Sequence, residues 1–497
     1  MIERVTSTYE HALQAAYYAI GNRGIAVNTQ RIAEAKAIVK AEIARNLAIA
    51  SAQWGLKVFV GAANAPDKGI AAININAPAG QYALIKGLEK LGYGLEKITK
   101  KDAEGEYEQT YSAGELALQR MLAKNQFGYP GGDPAIKSVL KVRELGKLYS
   151  SYLNARMYSR EGSDYFLSNY NVAGTLSGRR SSRRHTFGYG NNAQNFPKHS
   201  DIADLFRRCL VARPGNILLM VDQISAEDWP VSALAENHNA LAELRAGVID
   251  RHTALASAIF NIPLASRTAQ EWKDSQERYL GKKTRHASNY DMKAGRMSDA
   301  LAQEGKSFTE AQCKVLLDRM AQIDPNIRAV FHKYVQDTIN RTHMLISPTG
   351  RERQFLGARP NDHNSTTFKE AYSWIPQGVV GDNTGFTVLR LESDYEIQER
   401  RIVQEGHDSI VQDIPRSTDE ISKYLTRTDN CFRRTFKFHN GIEITIPIEA
   451  ELGYDFATTV KVKSFDLDGI KSALQKLDEK VAIQEAAKQS QQVLIPA

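Results

Sequence analysis

NILLMVDQISAEDW, residues 216–229, is the stretch around which the chain is organised. Its apolar run, residues 217–221, follows the turn residues Pro214-Gly215 and predicts a buried strand. Asp222 ends the run, and Glu227 follows five residues later. A carboxylate on such a rigid support could hold a metal ion, although an isolated strand-ending Asp more often only solvates a turn. The rest of the sequence has to decide between these two interpretations.

The composition is that of a globular protein with a mild excess of positive charge. Of its 497 residues 42% are hydrophobic, and the formal net charge of +7 permits a polyanionic partner without requiring one. Three scattered cysteines are too few for a disulfide framework or a cysteine-rich zinc site. The sequence contains no apolar run of about 18 residues and no signal-peptide pattern. We therefore expect a cytoplasmic protein with no membrane partner.

The first 150 residues predict a mainly helical lobe. Apolar side chains recur at helical spacing through residues 29–54, which predicts a long amphipathic helix. Shorter helices are predicted at residues 10–20, 80–90, 114–124 and 135–154. Because Gly21-Asn22-Arg23-Gly24 separates the first two helices, we expect them to form a helical hairpin. The basic face of residues 135–154 has two equally favoured interpretations, a solvated helix face and a DNA-contacting one.

A Gly- and Ser-rich segment, residues 174–184, carries four arginines: Arg179, Arg180, Arg183 and Arg184. Guanidinium groups in a segment of this composition suit phosphate contacts made jointly with backbone amides. A disordered basic loop is the alternative interpretation.

Four residues at a strict spacing of four lie in residues 250–295, which are predicted to be helical: Arg278, Lys282, His286 and Tyr290. A step of four residues turns a helix by about 400°, so the set forms one stripe about 18 Å long. Such a stripe could span a nucleoside triphosphate, with its phosphates against the two cations and its base and sugar against the two rings. Spacings of four also arise by chance in any helix.

A second acid on a strand support is predicted in RIVQEGHDSIVQD, residues 401–413. Apolar pairs flank Gly406-His407-Asp408-Ser409, which indicates a hairpin with His407 and Asp408 at its tip. The remaining predicted elements are a helix at 309–342 interrupted at Asp324-Pro325, a hairpin at 344–356, a helix at 369–377 with Pro376 near its end, a β region at 442–449, and a charged helical tail at 469–492.

Taken in order, these motifs resemble those of the family A DNA polymerases, the bacterial polymerase I type with phage-like members. The resemblance runs from about residue 10 to about residue 456. Residues 222–227 resemble motif A, residues 278–290 motif B, and residues 407–409 motif C. Lesser matches lie at residues 177–182, 194–197, 250–252 and 377–378. The departures are Gln223 for the usual Tyr, His286 for Phe or Tyr, Asp291 for Gly, and Ser409 for the commoner Glu.

The resemblance implies phosphoryl transfer catalysed by two metal ions. Asp222 and Asp408 would be the catalytic carboxylates that hold two Mg²⁺ ions, for which Mn²⁺ could substitute. The backbone carbonyl of Gln223 would be a further metal ligand, and Ser409 would be auxiliary.

The resemblance also implies roles at the nucleotide and the DNA. Arg278, Lys282 and His252 would hold the triphosphate. Tyr290 and His286 would contact the sugar and base, and Glu227 would fill the space of a ribose 2′-hydroxyl. Residues near the primer terminus would be Arg179, Gln377 and His407.

The implied fold is α+β, a right hand with an antiparallel palm sheet, helical fingers and a helical thumb. We expect an N-terminal segment and thumb at 1–150, the palm at 151–235 and 355–456, the fingers at 236–354, and a C-terminal extension at 457–497. Five lysines of the extension could touch DNA, but a solvated helix face is the favoured interpretation.

The implied activity is template-directed DNA synthesis on primer-template DNA with deoxynucleoside triphosphates, in the cytoplasm of a bacterium or of a phage-infected host. We expect no 3′–5′ exonuclease in this polypeptide, so editing would need a separate exonuclease, and a processivity factor is a further expected type of partner. Two alternatives are a single-subunit RNA polymerase, against which Glu227 argues, and a catalytically inactive DNA-binding homologue.

Overall fold

The computed structural model describes residues 4–60, 72–75, 84–101, 107–198, 200–247, 250–359, 362–394 and 400–493. Its contacts divide the chain into two compact units. Unit 1 comprises Met1–Ile32, Ala155–Met292 and Leu316–Ala497, and unit 2 comprises Ala33–Asn154 and Lys293–Val315. The bounds given above for thumb, palm and fingers stay a prediction.

The α-helices of the described residues are α1 Ser7–Arg23, α2 Thr29–Trp54, α3 Leu84–Lys90, α4 Glu115–Lys124, α5 Pro134–Leu148, α6 Asp201–Arg207, α7 Asp228–Leu234, α8 His238–Ala246, α9 Arg251–Phe260, α10 Ala269–Asp274, α11 Gln276–Asn289, α12 Ala294–Gln303, α13 Glu310–Ile323, α14 Lys333–Thr342, α15 Thr366–Glu392, α16 Thr418–Phe432 and α17 Leu467–Val493. Short π-helical turns at Tyr149–Leu153 and Ile327–His332 extend α5 and precede α14.

The strands are β1 Ile25–Val27, β2 Lys57–Phe59, β3 Ala72–Asn74, β4 Glu96–Lys101, β5 Tyr107–Ser112, β6 Tyr158–Arg160, β7 Ser163–Phe166, β8 Asn169–Asn171, β9 Ser181–Arg183, β10 Leu210–Val211, β11 Asn216–Gln223, β12 Met344–Ile346, β13 Glu352–Gln354, β14 Ile402–Glu405, β15 Ser409–Pro415, β16 Thr435–Lys437, β17 Glu443–Thr445, β18 Ile448–Gly453 and β19 Thr459–Val462.

A five-stranded antiparallel sheet in unit 1, in the order β14-β15-β11-β18-β19, carries the candidate site. Side chains alternate between the two faces of a strand. On one face, Ile217, Leu219 and Val221 of β11 join a buried core with residues of α1, α15, α16 and α17. Asp222 therefore projects from the opposite face.

Unit 1 also contains a four-stranded sheet in the order β10-β1-β7-β6. Unit 2 has its own apolar core, to which Trp54, Leu88, Leu118 and Val139 contribute. In unit 2 the indole of Trp54 donates to the Tyr93 hydroxyl at 2.9 Å. A separate core in each unit agrees with two compact bodies.

Most of the predicted elements are confirmed, including the long helix Thr29–Trp54, the strand that leads into Asp222, the hairpin of β14 and β15, and the helical tail. Of the helix predicted at residues 80–90, the structure describes Leu84–Lys90, and the preceding residues lie outside the described part.

The predicted helical hairpin at the N-terminus is wrong. A strand, β1, lies between α1 and α2 and pairs with both β7 and β10. Gly24, with φ of 67°, ends α1 in a conformation that costs glycine little. The β-branched residues Ile25 and Val27 that follow favour an extended chain.

The helix predicted to end near Pro376 also needs correction, because α15 continues to Glu392. A proline inside a helix removes one backbone hydrogen bond and disfavours the helical conformation. Here α15 is buried along most of its length, so packing outweighs the local preference. None of the described helices is long and apolar enough to cross a membrane.

Candidate active site

Asp222 and Asp408 are brought together by the pairing of β11 with β15. Asp222 lies opposite Ser409 in the strand register, and Asp408 immediately precedes β15. The backbone N–H of Gln223 donates to the Asp408 carbonyl at 3.2 Å, which fixes the turn against the strand. Asp222 is the penultimate residue of β11, so it lies at the exit of its strand, as predicted.

The environment of both carboxyl groups disfavours negative charge. Burial among protein atoms, followed by the charges of Asp408 and Glu449, raises the pKa of Asp222 to about 8. Burial likewise raises the pKa of Asp408. Asp222 is nevertheless reached by solvent, because it faces a cavity rather than the core. A bound cation would relieve the repulsion between the two carboxylates.

This donor set fits Mg²⁺. Two carboxylates supply hard oxygen ligands and leave positions open for water and phosphate oxygens. Among the described residues, no group of three or more acidic, His or Cys side chains is arranged to hold a metal ion. Ser409 replaces the usual carboxylate, and its hydroxyl lies 3.5 Å from the Gly406 carbonyl.

Gln223, which stands where a Tyr is usual, locks the strand to α15. Its buried side chain accepts a hydrogen bond from Asn383 at 2.7 Å and donates to Thr384 at 3.0 Å. The same amide lies 3.3 Å from the Asp408 carbonyl. The side chain thus holds the two acidic motifs in register.

Glu227 is the centre of a second cluster. Its carboxylate accepts hydrogen bonds from the Tyr290 hydroxyl and the Arg179 guanidinium, and His286 Nε2 lies 3.8 Å away. The rings of His286 and Tyr290 meet edge to face, with centroids 5.1 Å apart. Burial, together with the charge of Glu227, raises the pKa of Tyr290 well above its usual value. Arg179, assigned to the primer, thus pairs here with the residue assigned to the sugar.

The predicted triphosphate residues line one cavity of about 750 Å³, together with Asp222 and Asp408. Asp250 caps α9 and accepts a hydrogen bond from Arg278 Nε at 2.5 Å, so it orients that cation. Burial lowers the pKa of His252, and its Nδ1 atom is buried without a hydrogen-bond partner in the described structure. Arg278, Lys282 and His286 of the predicted stripe lie four residues apart on α11 and line this cavity, whereas Tyr290 caps the helix.

Sequence reasoning missed further cations of this cavity: Arg251, Lys273, Arg285 and Lys461. Arg285 is fully buried and forms ion pairs with Asp228 at 3.1 Å and Asp324 at 2.6 Å. The sequence around a basic residue in a helix does not indicate that it lines a cavity or pairs with buried acids, because those partners are distant in sequence. Lys461 belongs to the C-terminal extension, for which a solvated face was favoured.

His407 and Gln377 lie on separate elements of unit 1. His407 has φ of 75°, and its N–H donates to the Glu405 carboxylate at 2.8 Å. Burial, followed by the charges of Arg179 and Lys198, lowers the pKa of His407 to about 4. Gln377 is half-buried on α15.

The arginine-rich segment is not uniformly available to phosphates. Arg180 is fully buried, lies 3.9 Å from Asp382 and donates to the Tyr9 hydroxyl at 2.7 Å. Its expected phosphate contact is therefore wrong as the chain is folded here. Arg183 is exposed on the short strand β9.

Asp291, which replaces a usual Gly, adopts φ of 50°. Only Gly, Asn and Asp enter this left-handed region at low cost, which accounts for the residue types at this position. Its carboxylate lies 3.8 Å from Arg328, whose charge compensates it.

Comparison with known proteins identifies the class. A profile described as DNA polymerase family A matches residues 68–457, and the chain belongs to this family. "DNA polymerase I, thermostable" of Thermus aquaticus is 26% identical over 326 residues, which cover 64% of this chain and 36% of the relative. "DNA polymerase" of Bacillus phage SP01 is 20% identical over 380 residues, which cover 72% of this chain and 39% of the relative. The chain thus matches little more than a third of the length of these relatives.

A solved structure shows the same fold. The polymerase domain of Pol1 from M. smegmatis, in a complex with DNA primer-template and dNTP, superposes with a TM-score of 0.67 at 18% identity. The alignment covers 90% of this chain and 70% of that chain. The predicted α+β polymerase fold is confirmed.

Proposed function

We propose that this chain is a template-directed DNA polymerase that adds deoxynucleotides to a primer 3′ end by two-metal phosphoryl transfer. The observation that carries the proposal is the meeting of Asp222 and Asp408, from two paired strands, in a cavity that also contains Arg278 and Lys282. Membership in DNA polymerase family A supports it. The substrates follow those of the related Pol1 domain, which was solved with primer-template and dNTP.

The residues of the site suit the separate tasks of this reaction. Two Mg²⁺ ions held by Asp222, Asp408 and the Gln223 carbonyl would neutralise charge on the transferred phosphoryl group and activate the primer hydroxyl. Arg278, already oriented by Asp250, and Lys282 would hold the triphosphate. Burial lowers the pKa of His252 and so favours its neutral form, which would donate a hydrogen bond to phosphate.

Sugar selection would come from the Glu227 cluster. Glu227 is held by Tyr290, Arg179 and the nearby His286, so its carboxylate has a fixed position. A fixed side chain excludes a 2′-hydroxyl better than a mobile one. Arg179 would contact the primer-template while Tyr290 keeps Glu227 in place, and Gln377 and His407 would contact the primer-template nearby.

Primer extension with Mg²⁺ tests the proposal. We expect Asp222→Ala and Asp408→Ala each to slow extension by about 1,000-fold or more, because each removes a metal ligand. Affinity for primer-template, measured by fluorescence anisotropy, should stay within about two-fold. Asp419→Ala, which changes an exposed acid at the start of α16, is the matched control and should extend normally.

The same assay separates the alternative functions. Extension with ribonucleotides in preference to deoxynucleotides would indicate an RNA polymerase. DNA binding without extension of either kind would indicate an inactive homologue. Normal extension by either aspartate variant would contradict the metal-site assignment.

A further inference from the structure

The C-terminal extension adds an edge strand to the sheet that carries the candidate site. The family profile ends at residue 457, and β19 begins at Thr459. It pairs with β18 in antiparallel register, with Lys461 opposite Glu451 and Val462 opposite Ala450. Val462 belongs to the buried core under the sheet, and Val460 packs against it. Strand alternation therefore directs Lys461 to the other face.

That other face is the one on which the catalytic carboxylates lie. Directly paired residues in an antiparallel sheet project to the same side. Asp222 is paired with Ser409 on one neighbouring strand and with Glu449 on the other. Glu449 and Glu451 are two residues apart on β18, so both project to this face, and Lys461, which is paired with Glu451, projects there as well. All of these residues lie in one compact unit.

Contacts agree with the register. The Lys461 ammonium forms an ion pair with Glu449, and Lys461 lines the same cavity as Asp222, Asp408, Arg278 and Lys282. Its side chain is 57% exposed. An ion pair this exposed is weak and screened by salt, so the flexible lysine can exchange Glu449 for another anion.

We propose that Lys461 is a further phosphate-binding residue of this site, which contacts the triphosphate of the incoming nucleotide. The inference rests on the proposed polymerase function. Lysine binds phosphate as a mobile point charge, and a triphosphate brings more negative charge than Glu449 does. Lys461 would therefore turn from Glu449 to the nucleotide when the cavity fills.

Single-nucleotide incorporation kinetics test the role. For Lys461→Ala we expect KM for the deoxynucleotide to rise about 3- to 10-fold, with kcat and the Kd for primer-template unchanged. Lys461→Arg should restore most of the loss, and the effect of Lys461→Ala should shrink as salt rises. The control is Lys471→Ala, an exposed lysine of α17 that pairs with Asp468 and should behave as wild type.

Glu449 provides the test against a merely structural role. If Lys461 only compensated Glu449, the double variant Lys461→Ala with Glu449→Gln would regain the wild-type KM, which would overturn the proposal. We expect KM to stay raised in the double variant, and not to rise in Glu449→Gln alone, because that change frees Lys461. A raised Kd for DNA with an unchanged KM would also overturn the proposal, since the contact would then be to a DNA phosphate.

Equilibrium titration of the protein with dGTP and Mg²⁺, in the absence of DNA, keeps the two proposals separable. Lys461→Ala should weaken this binding by the same 3- to 10-fold, about the effect expected for one exposed charge contact. If the wild-type chain bound dGTP in this Lys461-dependent manner but failed to extend primers, the polymerase proposal alone would fail. If it extended primers and Lys461→Ala changed neither KM nor dGTP binding, the Lys461 inference alone would fail.

Discussion

Glu405 is expected to make the folded protein less stable as the pH rises towards neutrality, and Glu405→Gln should remove this effect. The side chain is fully buried at the end of β14. Its carboxylate accepts hydrogen bonds from Gln194 Nε2 at 2.6 Å and from the His407 N–H at 2.8 Å. A glutamine could keep the first contact if the Gln194 amide turned over.

The magnitude follows from the pKa of this carboxyl group. Burial raises the pKa of Glu405 from 4.5 to about 7, against the opposing charge of Arg180. A group whose pKa is raised on folding binds more protons in the folded state, so stability falls as pH rises between the two values. At about 1.4 kcal/mol for each pH unit, the loss between pH 4.5 and 7 amounts to about 3 kcal/mol. Above pH 7 the loss is complete and constant.

Urea denaturation of the wild type and Glu405→Gln at several pH values from 4.5 to 9 measures the effect. The free energy of unfolding of the wild type, minus that of the variant, should fall by about 3 kcal/mol up to pH 7 and then level off. The amide's own contacts add only a constant to this difference, so the slope belongs to Glu405. Glu443→Gln changes an exposed strand carboxylate and is the control. Its free energy of unfolding should depend on pH as that of the wild type does. Parallel curves for the wild type and Glu405→Gln would refute the reasoning.

Three further predictions concern sugar selection, DNA binding and stability. Glu227→Ala should raise incorporation of ribonucleotides relative to deoxynucleotides by about 10-fold or more, a change of at least about 1.4 kcal/mol in transition-state binding; an unchanged ratio of kcat/KM values would show that Glu227 is not the gate. Primer-template affinity should fall steeply with salt, and Arg183→Ala should reduce the slope of log Kd against log salt by about one. Arg180→Ala should instead lower the free energy of unfolding by about 3 kcal/mol, because it leaves the buried Gly381 carbonyl and the Tyr9 hydroxyl without their hydrogen-bond donor, whereas Asp382 keeps its ion pair with Arg351.

The sequence was informative where chemistry and local structure coincide. The apolar run before Asp222, the tip of the hairpin at Asp408 and the four-residue spacing from Arg278 to Tyr290 each carry their own signal, because strand, turn and helix are decided by neighbouring residues. The order of the motifs then indicated DNA polymerase family A, to which the chain belongs.

Local preference misled where packing decided the outcome. Gly24 suggested the loop of a helical hairpin, but the chain beyond it pairs with β7 and β10 as the strand β1. Pro376 suggested the end of a helix, but α15 is buried along most of its length and continues to Glu392. In both cases contacts with segments far away in sequence contribute more free energy than the local preference they override.

By itself the sequence determined which residues could do the chemistry: two acids on strands, a stripe of cations and rings, and a Glu between them. Only the tertiary structure decided which of them meet. In the folded chain Arg180 is buried near Asp382, and Arg179 is paired with Glu227. Lys461, on the edge strand of the sheet, lines the same cavity as Asp222. The physical reason is that charge pairing and desolvation depend on distances in space. The local sequence around two residues that are hundreds of positions apart does not indicate whether they meet in the fold.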